Sequence, residues 1–211
     1  MTTLVGSAAL VAIGSAAHAG FTGVQYENVE NGMAGFTTYR VYAGVTAGGE
    51  VDAVYGDGTN ALSVMSDNGF YQNQFGGYGT PSAALFGFFP SLEWDSFVTI
   101  GLTNDAGDAM LDIGIDWTGF AAGGDIATSN GTWFATPSDA QVFEIGGRVL
   151  VGQFTVADGD HVFGSMNFQG KDADLTNWNA DGVAFDSAPI PAPGAIALLG
   201  LAGIAARRRR K

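Results

Sequence analysis

Read for where apolar and polar residues fall, the middle of the chain alternates. In "TYRVYAGV" Tyr39, Val41, Ala43 and Val45 share one face, and in "LDIGIDWT" Leu111, Ile113, Ile115 and Trp117 lie opposite Asp112, Gly114 and Asp116. A period of two marks strands with one dry face. Further strands are predicted at Val51 to Tyr55, Leu62 to Met65, Phe97 to Leu102, Gly131 to Phe134, Arg148 to Val156, His161 to Phe168 and Val183 to Phe185. No stretch of the body sustains a helical period with caps, and no internal repeat stands out.

One strand slips phase. Val149 and Val151 precede Phe154 and Val156 by an odd offset, so a β-bulge at Gly152 to Gln153 is expected to keep both pairs facing inward. Asp158-Gly159 then reads as a tight turn into a strand carrying Val162, Gly164, Met166 and Phe168, making residues 148 to 169 a hairpin. Many short strands between Gly, Asn and Asp turns predict an all-β fold, an antiparallel β-sandwich of jelly-roll type.

Composition limits what such a sandwich can do. Five of the eight basic residues are Arg207, Arg208, Arg209, Arg210 and Lys211, which leaves Arg40, Arg148 and Lys171 against 21 acidic residues in the body, a net of −18. That field disfavours a nucleic acid partner, because phosphate binding needs a basic surface. The chain has no cysteine, so disulfides and thiolate chemistry are excluded. After the leader only His161 remains as an imidazole; with no Gly-x-Ser-x-Gly elbow, neither a serine triad nor a zinc site is expected.

Three constellations remain. "NGFYQNQFGGYG" places Phe70, Tyr71 and Tyr78 among Gln72, Asn73 and Gln74, the flat faces and amides that bind sugars. "NWNADG" puts Asn177, Asn179 and Asp181 at alternate positions before Gly182, like half of an EF-hand loop. Ala188 stands where the bidentate Glu belongs, so any Ca²⁺ site there would be an irregular one that also draws on Asp172 and Asp174. Ca²⁺ is the one ion the pattern suggests, and no other cofactor is implied. In "SLEWDSF", Glu93 and Asp95 are expected on one strand face beside Trp94, the pair a glycosidase would need.

Both ends are apolar. Residues 1–19 read as a signal peptide: an apolar run from Leu4 to Ile13 leads to Ala17-His18-Ala19, with cleavage expected before Gly20. At the other end the uninterrupted apolar stretch Gly194 to Ala206 would reach roughly 20 Å as a helix, short of the 30 Å or so of a bilayer's hydrocarbon. Pro191-Ala192-Pro193, this short apolar helix and the cluster Arg207, Arg208, Arg209 and Arg210 together resemble the PEP-CTERM sorting signal of bacterial exosortase substrates, with Ala192 standing where the family carries an acidic residue. The resemblance covers residues 188 to 211. It implies export, transient anchoring in the inner membrane by the C-terminal helix, cleavage near the prolines by an exosortase-type enzyme, and display at the cell surface or in extracellular polymer. The expected plan is therefore a signal peptide at 1–19, a sandwich domain at 20–187 and a sorting signal at 188–211. The expected role is non-catalytic and structural or polysaccharide-associating, with a secreted carbohydrate-active hydrolase as the alternative.

Overall fold

A computed structural model describes residues 20–188. The expected signal peptide with its expected cleavage residues Ala17 and Ala19, and the expected sorting residues Pro191, Ala192, Pro193 and Arg207 to Arg210, lie outside the described residues. Two antiparallel sheets pack face to face. The smaller holds β1 (Phe21–Val29), β2 (Phe36–Val45), β9 (Arg148–Ala157) and β5 (Phe97–Val98), in that order. The larger holds β3 (Glu50–Gly56), β4 (Leu62–Ser66), β6 (Leu111–Ile113), β7 (Ile126–Thr128), β8 (Gly131–Phe134), β10 (Val162–Lys171) and β11 (Asn177–Asp186). A single helical turn, α1 (Thr118–Ala121), joins β6 to β7.

The seven strands of the larger sheet form five ranks. β3 and β4 lie end to end along β10, pairing Asn167 to Lys171 and Val162 to Ser165 in turn, while residues 57–61 loop out between them. β8 and β7 run along β3 and β4 in the same broken fashion. The ranks are thus β6, β7 with β8, β3 with β4, β10, and β11 at the far edge. Where β10 loses its ladder partner at the excursion, the buried side chain of Asn167 takes over: its amide donates to Tyr55 O (2.8 Å) and Asn60 O (2.7 Å), and its Oδ1 accepts from Gly182 N (2.6 Å).

The core between the sheets is built by the alternation the sequence displays. Val41, Ala43 and Val45 of β2 face inward with Tyr39 packed against them, and Val162, Met166 and Phe168 of β10 face them from the other side. In β9 the bulge falls at Val151, one residue before its expected place, and Val149, Val151, Phe154 and Val156 all reach the core. At about 25 cal/mol per Å² of apolar surface, burial on this scale is the main force holding the sheets together.

Three expectations fail. The strand expected over Phe97 to Leu102 is confined to Phe97–Val98, after which the chain meets β9 through single bonds from Thr99 N to Val151 O and Gly101 N to Leu150 O. β9 and β10 are not a hairpin: they belong to different sheets, and Asp158-Gly159 is the corner at which the chain crosses between them. A tight turn fixes only a reversal of direction; here β9 bonds to β2 and β5 instead. The strand at Leu111 is also inverted, because Leu111 (57% exposed) and Ile113 (66%) face solvent while Asp112 turns inward. Its carboxylate accepts from Tyr78 OH and from Trp117 Nε1, both at 2.9 Å. Two strong donors waiting beneath the strand outweigh the exposure of two aliphatic side chains.

Candidate functional site

Residues 67–110 include the edge strand β5 and bond further to β9, Tyr71 N donating to Thr155 O and Trp94 O accepting from Thr155 Oγ1, and the aromatic loop is part of this segment. Phe70 is buried, packing at 5.6 Å from Phe120 and 5.4 Å from Phe154 between ring centroids. Tyr71 donates its amide to Thr155 O (2.8 Å) and sets its ring edge against Phe36. Tyr78 stacks on Trp117 at 4.6 Å, the planes 7° apart. Gln72 donates to Ser96 O (3.0 Å), and Asn73 to Tyr71 OH and Ser91 Oγ; Gln74 alone of the six is fully exposed. Hollows of about 390 Å³ and 360 Å³ open beside Phe70 to Gln72 and beside Phe75 to Ser82. The rings expected to receive a sugar are mostly engaged in holding the loop to the sandwich.

Glu93 and Asp95 do not share a strand face. Glu93 lies in a 3₁₀ turn, Pro90–Trp94, and is exposed, whereas Asp95 follows that turn and is fully buried. Asp95 Oδ1 accepts the amide of Asn73 (2.6 Å), and Gly76 packs directly on the other oxygen, which has no partner. Burial pushes this carboxyl up to about 6, although backbone amides pull the other way. One acid in solvent and one sealed beneath a loop are a lock and a surface charge, not a pair flanking a scissile bond.

The calcium candidates are likewise dispersed. Residues 177–182 belong to strand β11, so Asn177, Asn179 and Asp181 project side by side from one exposed face instead of converging. Asp181 accepts a short hydrogen bond from Tyr55 OH. Asp172 accepts from Thr46 Oγ1 (2.6 Å), and Asp174 closes its own turn onto Thr176 N, which holds its carboxyl below the usual range. Among the described residues no group of three or more His, Asp or Glu is placed to hold a metal.

What the sequence did not reveal is the outer face of the large sheet. Strand pairing lines up Leu111, Phe134, Ala53, Gln169 and Asn179 across successive ranks, and Ile113, Thr132 and Tyr55 in the next row, with Asp181 beside Tyr55. Five ranks at about 4.8 Å make this platform on the order of 20 Å wide. It grades from aliphatic and aromatic at β6 to amide and carboxylate at β11. In its middle is a hollow of about 290 Å³ lined by Asp52, Ala53, Tyr55, Thr132, Phe134, Ala135, Pro137 and Gln169.

Asp52 is the bulged residue of β3, an extra position between the pairs Val51–Gly170 and Ala53–Gln169. The bulge lets Val51 and Val54 both face the core and leaves Asp52 and Ala53 together on the hollow's wall. Asp52 is only 4% exposed and its Oδ1 has no hydrogen-bond partner. Beside it Glu50, 1% exposed, accepts from Ser138 N (3.1 Å) and lies 3.5 Å from Lys171 Nζ. Burial, then the neighbouring Glu50 charge, push Asp52 up to about 6, with Lys171 opposing. Such a bulge is visible only once strand partners are known, since nothing in "GGEVDAVYG" breaks the pattern by itself.

No family model, curated protein or solved structure matches the chain.

Proposed function

We propose that the chain is an exported, non-catalytic β-sandwich, processed at its C-terminus by an exosortase-type enzyme and displayed at the cell surface or in extracellular matrix, where it associates with polysaccharide. The observation that carries this reading is the bare outer face of the large sheet, a strip of aromatic and amide side chains, and what supports the export part is that the sequence of the two ends reads as a leader and a sorting signal. Supporting it, the described residues close on themselves at both limits. Thr46 N donates to Gly20 O (2.9 Å), Ser187 N to Val162 O (2.9 Å), and the core spans Phe21 to Phe185. We read the sandwich further as jelly-roll-like, since the chain crosses between sheets repeatedly, after β2, β4, β5, β8 and β9.

Mass spectrometry of the protein recovered from producing cells tests the processing. The expected mature chain begins at Gly20 and ends near Pro191 to Pro193; a population that keeps Arg207 to Lys211 intact would reject exosortase handling. Co-sedimentation with the producing cell's extracellular polysaccharide tests the association.

The alternative, a secreted carbohydrate-active hydrolase, loses its first pair because Asp95 is sealed beneath the loop while Glu93 faces solvent. What still favours it is Asp52, an acid titrating at about 6 beside Glu50 on the wall of a hollow. Release of reducing ends from the same polysaccharide, abolished by Asp52→Asn, would establish it; no release is expected.

A further inference from the structure

We propose that the hollow at Asp52 is a sugar subsite that takes a neutral pyranose, its ring face against Phe134 and Tyr55 and its hydroxyls donating to the Asp52 carboxylate. The inference rests on the polysaccharide reading and supplies its point of contact. Three observations select this occupant.

A carboxylate accepts hydrogen bonds only, and one that is nine-tenths buried with an unpartnered oxygen lacks the donors its burial calls for. A ligand that brings hydroxyls supplies them. The hollow's walls include the half-buried Phe134, Tyr55 and Ala53 and the exposed Pro137, with the buried Ala135 behind them, apolar groups that suit the apolar face of a sugar ring. The hydroxyl of Thr132 is committed to Val54 O and Trp133 O, so polar recognition falls to Asp52 and to Gln169, whose amide makes no hydrogen bond among the described residues.

Charge removes the competing occupants. With a body of net −18, Glu50 beside the hollow and a single Lys171 already facing Glu50, a uronate or sulfated chain would be repelled. A divalent cation would find two carboxylates and an ammonium instead of a ring of oxygens. The volume, about 290 Å³, sits at the small end of ligand pockets and fits one or two sugar rings of a longer chain that continues along the platform toward Asn179.

The test is isothermal titration of the full chain at pH 7 with cellohexaose, maltohexaose and mannohexaose as neutral probes and alginate as a polyanionic one. At least one neutral probe should bind. Phe134→Ala and Asp52→Asn should each weaken that binding tenfold or more, with circular dichroism unchanged, while Thr22→Ala, at an exposed position of β1 in the other sheet, should leave it intact. Equal binding by both site variants would overturn the subsite and leave the polysaccharide reading standing. Binding of alginate, or of no neutral probe, would also overturn the subsite. Failure to co-sediment with the cell's own polysaccharide would remove the wider reading too. A concentration-dependent dimer in sedimentation equilibrium that Phe134→Ala dissolves would instead make this face a contact between two copies and reject the proposal.

Discussion

Asn167 sits where the fold has a gap in its hydrogen bonding. β10 runs unbroken beside a rank that is broken at residues 57–61, and the gap would leave Tyr55 O and Asn60 O turned toward it without donors. Only a side chain with both donor and acceptor atoms can serve two carbonyls and the amide of Gly182 at once. Asn167→Ala leaves those buried groups unpaired, and Asn167→Asp replaces a donor by a negative charge facing carbonyls. Either should destabilise by about 2 to 4 kcal/mol in urea unfolding, with Asp the worse of the two. A value under 1 kcal/mol would mean that the excursion closes in some other way. The sequence offered no sign of this role, because Asn167 occupies an ordinary outward position in the alternation of β10.

At the scale of the element, a buried acid holds the aromatic loop down. Asp95 receives Asn73 N and abuts Gly76, and its carboxyl titrates near 6 in the fold against an ordinary 3.8. The folded protein therefore holds this proton more tightly than the unfolded chain, and the stability this contributes is complete below about 4 and gone above about 6. Asp52 acts in the same direction. Stability in urea should fall between pH 4 and pH 7, by on the order of 2 to 3 kcal/mol for Asp95, and Asp95→Asn should remove that part of the slope. A slope untouched by the substitution would assign it to other groups. The elements also show what was legible. β2 and the inward set of β10 follow plain alternation, and the bulge of β9 follows from a visible slip in phase. β6 was inverted because its orientation is decided by Tyr78 and Trp117, distant or off-strand donors that no local pattern reports. β11 resembled a calcium loop because every-second-residue oxygens are also what the solvent face of an edge strand displays.

Taken whole, the molecule is a strongly acidic shell around an apolar core. Arg148 is paired with Glu27 at 2.8 Å and Lys171 faces Glu50, so few positive charges are left to offset the rest. Mutual repulsion of the acids works against compactness and is screened by salt, with a Debye length falling from about 30 Å at 0.01 M to 10 Å at 0.1 M. The thermal midpoint should rise by several degrees over that range, and a midpoint independent of salt would mean that the charges are too widely spread to matter. The sandwich itself was readable from strand number and turn chemistry. Its functional surface was not, because a platform is made by the register of non-consecutive strands, Leu111 beside Phe134 beside Ala53, which the sequence separates by tens of residues.

Within residues 67–110 aromatic residues gather in a knob, Phe75 and Phe89 tilted at 34° with ring centroids 4.0 Å apart and Phe88 exposed beside them in sequence. Gly87 lies within that knob, and a side chain added there meets open space. Because the chain contains no thiol of its own, Gly87→Cys would give a unique attachment point for a dye or a solid support. Molecules tethered this way would all be held by the same loop, outside the residues that line the Asp52 hollow, so that the body is immobilised in one orientation.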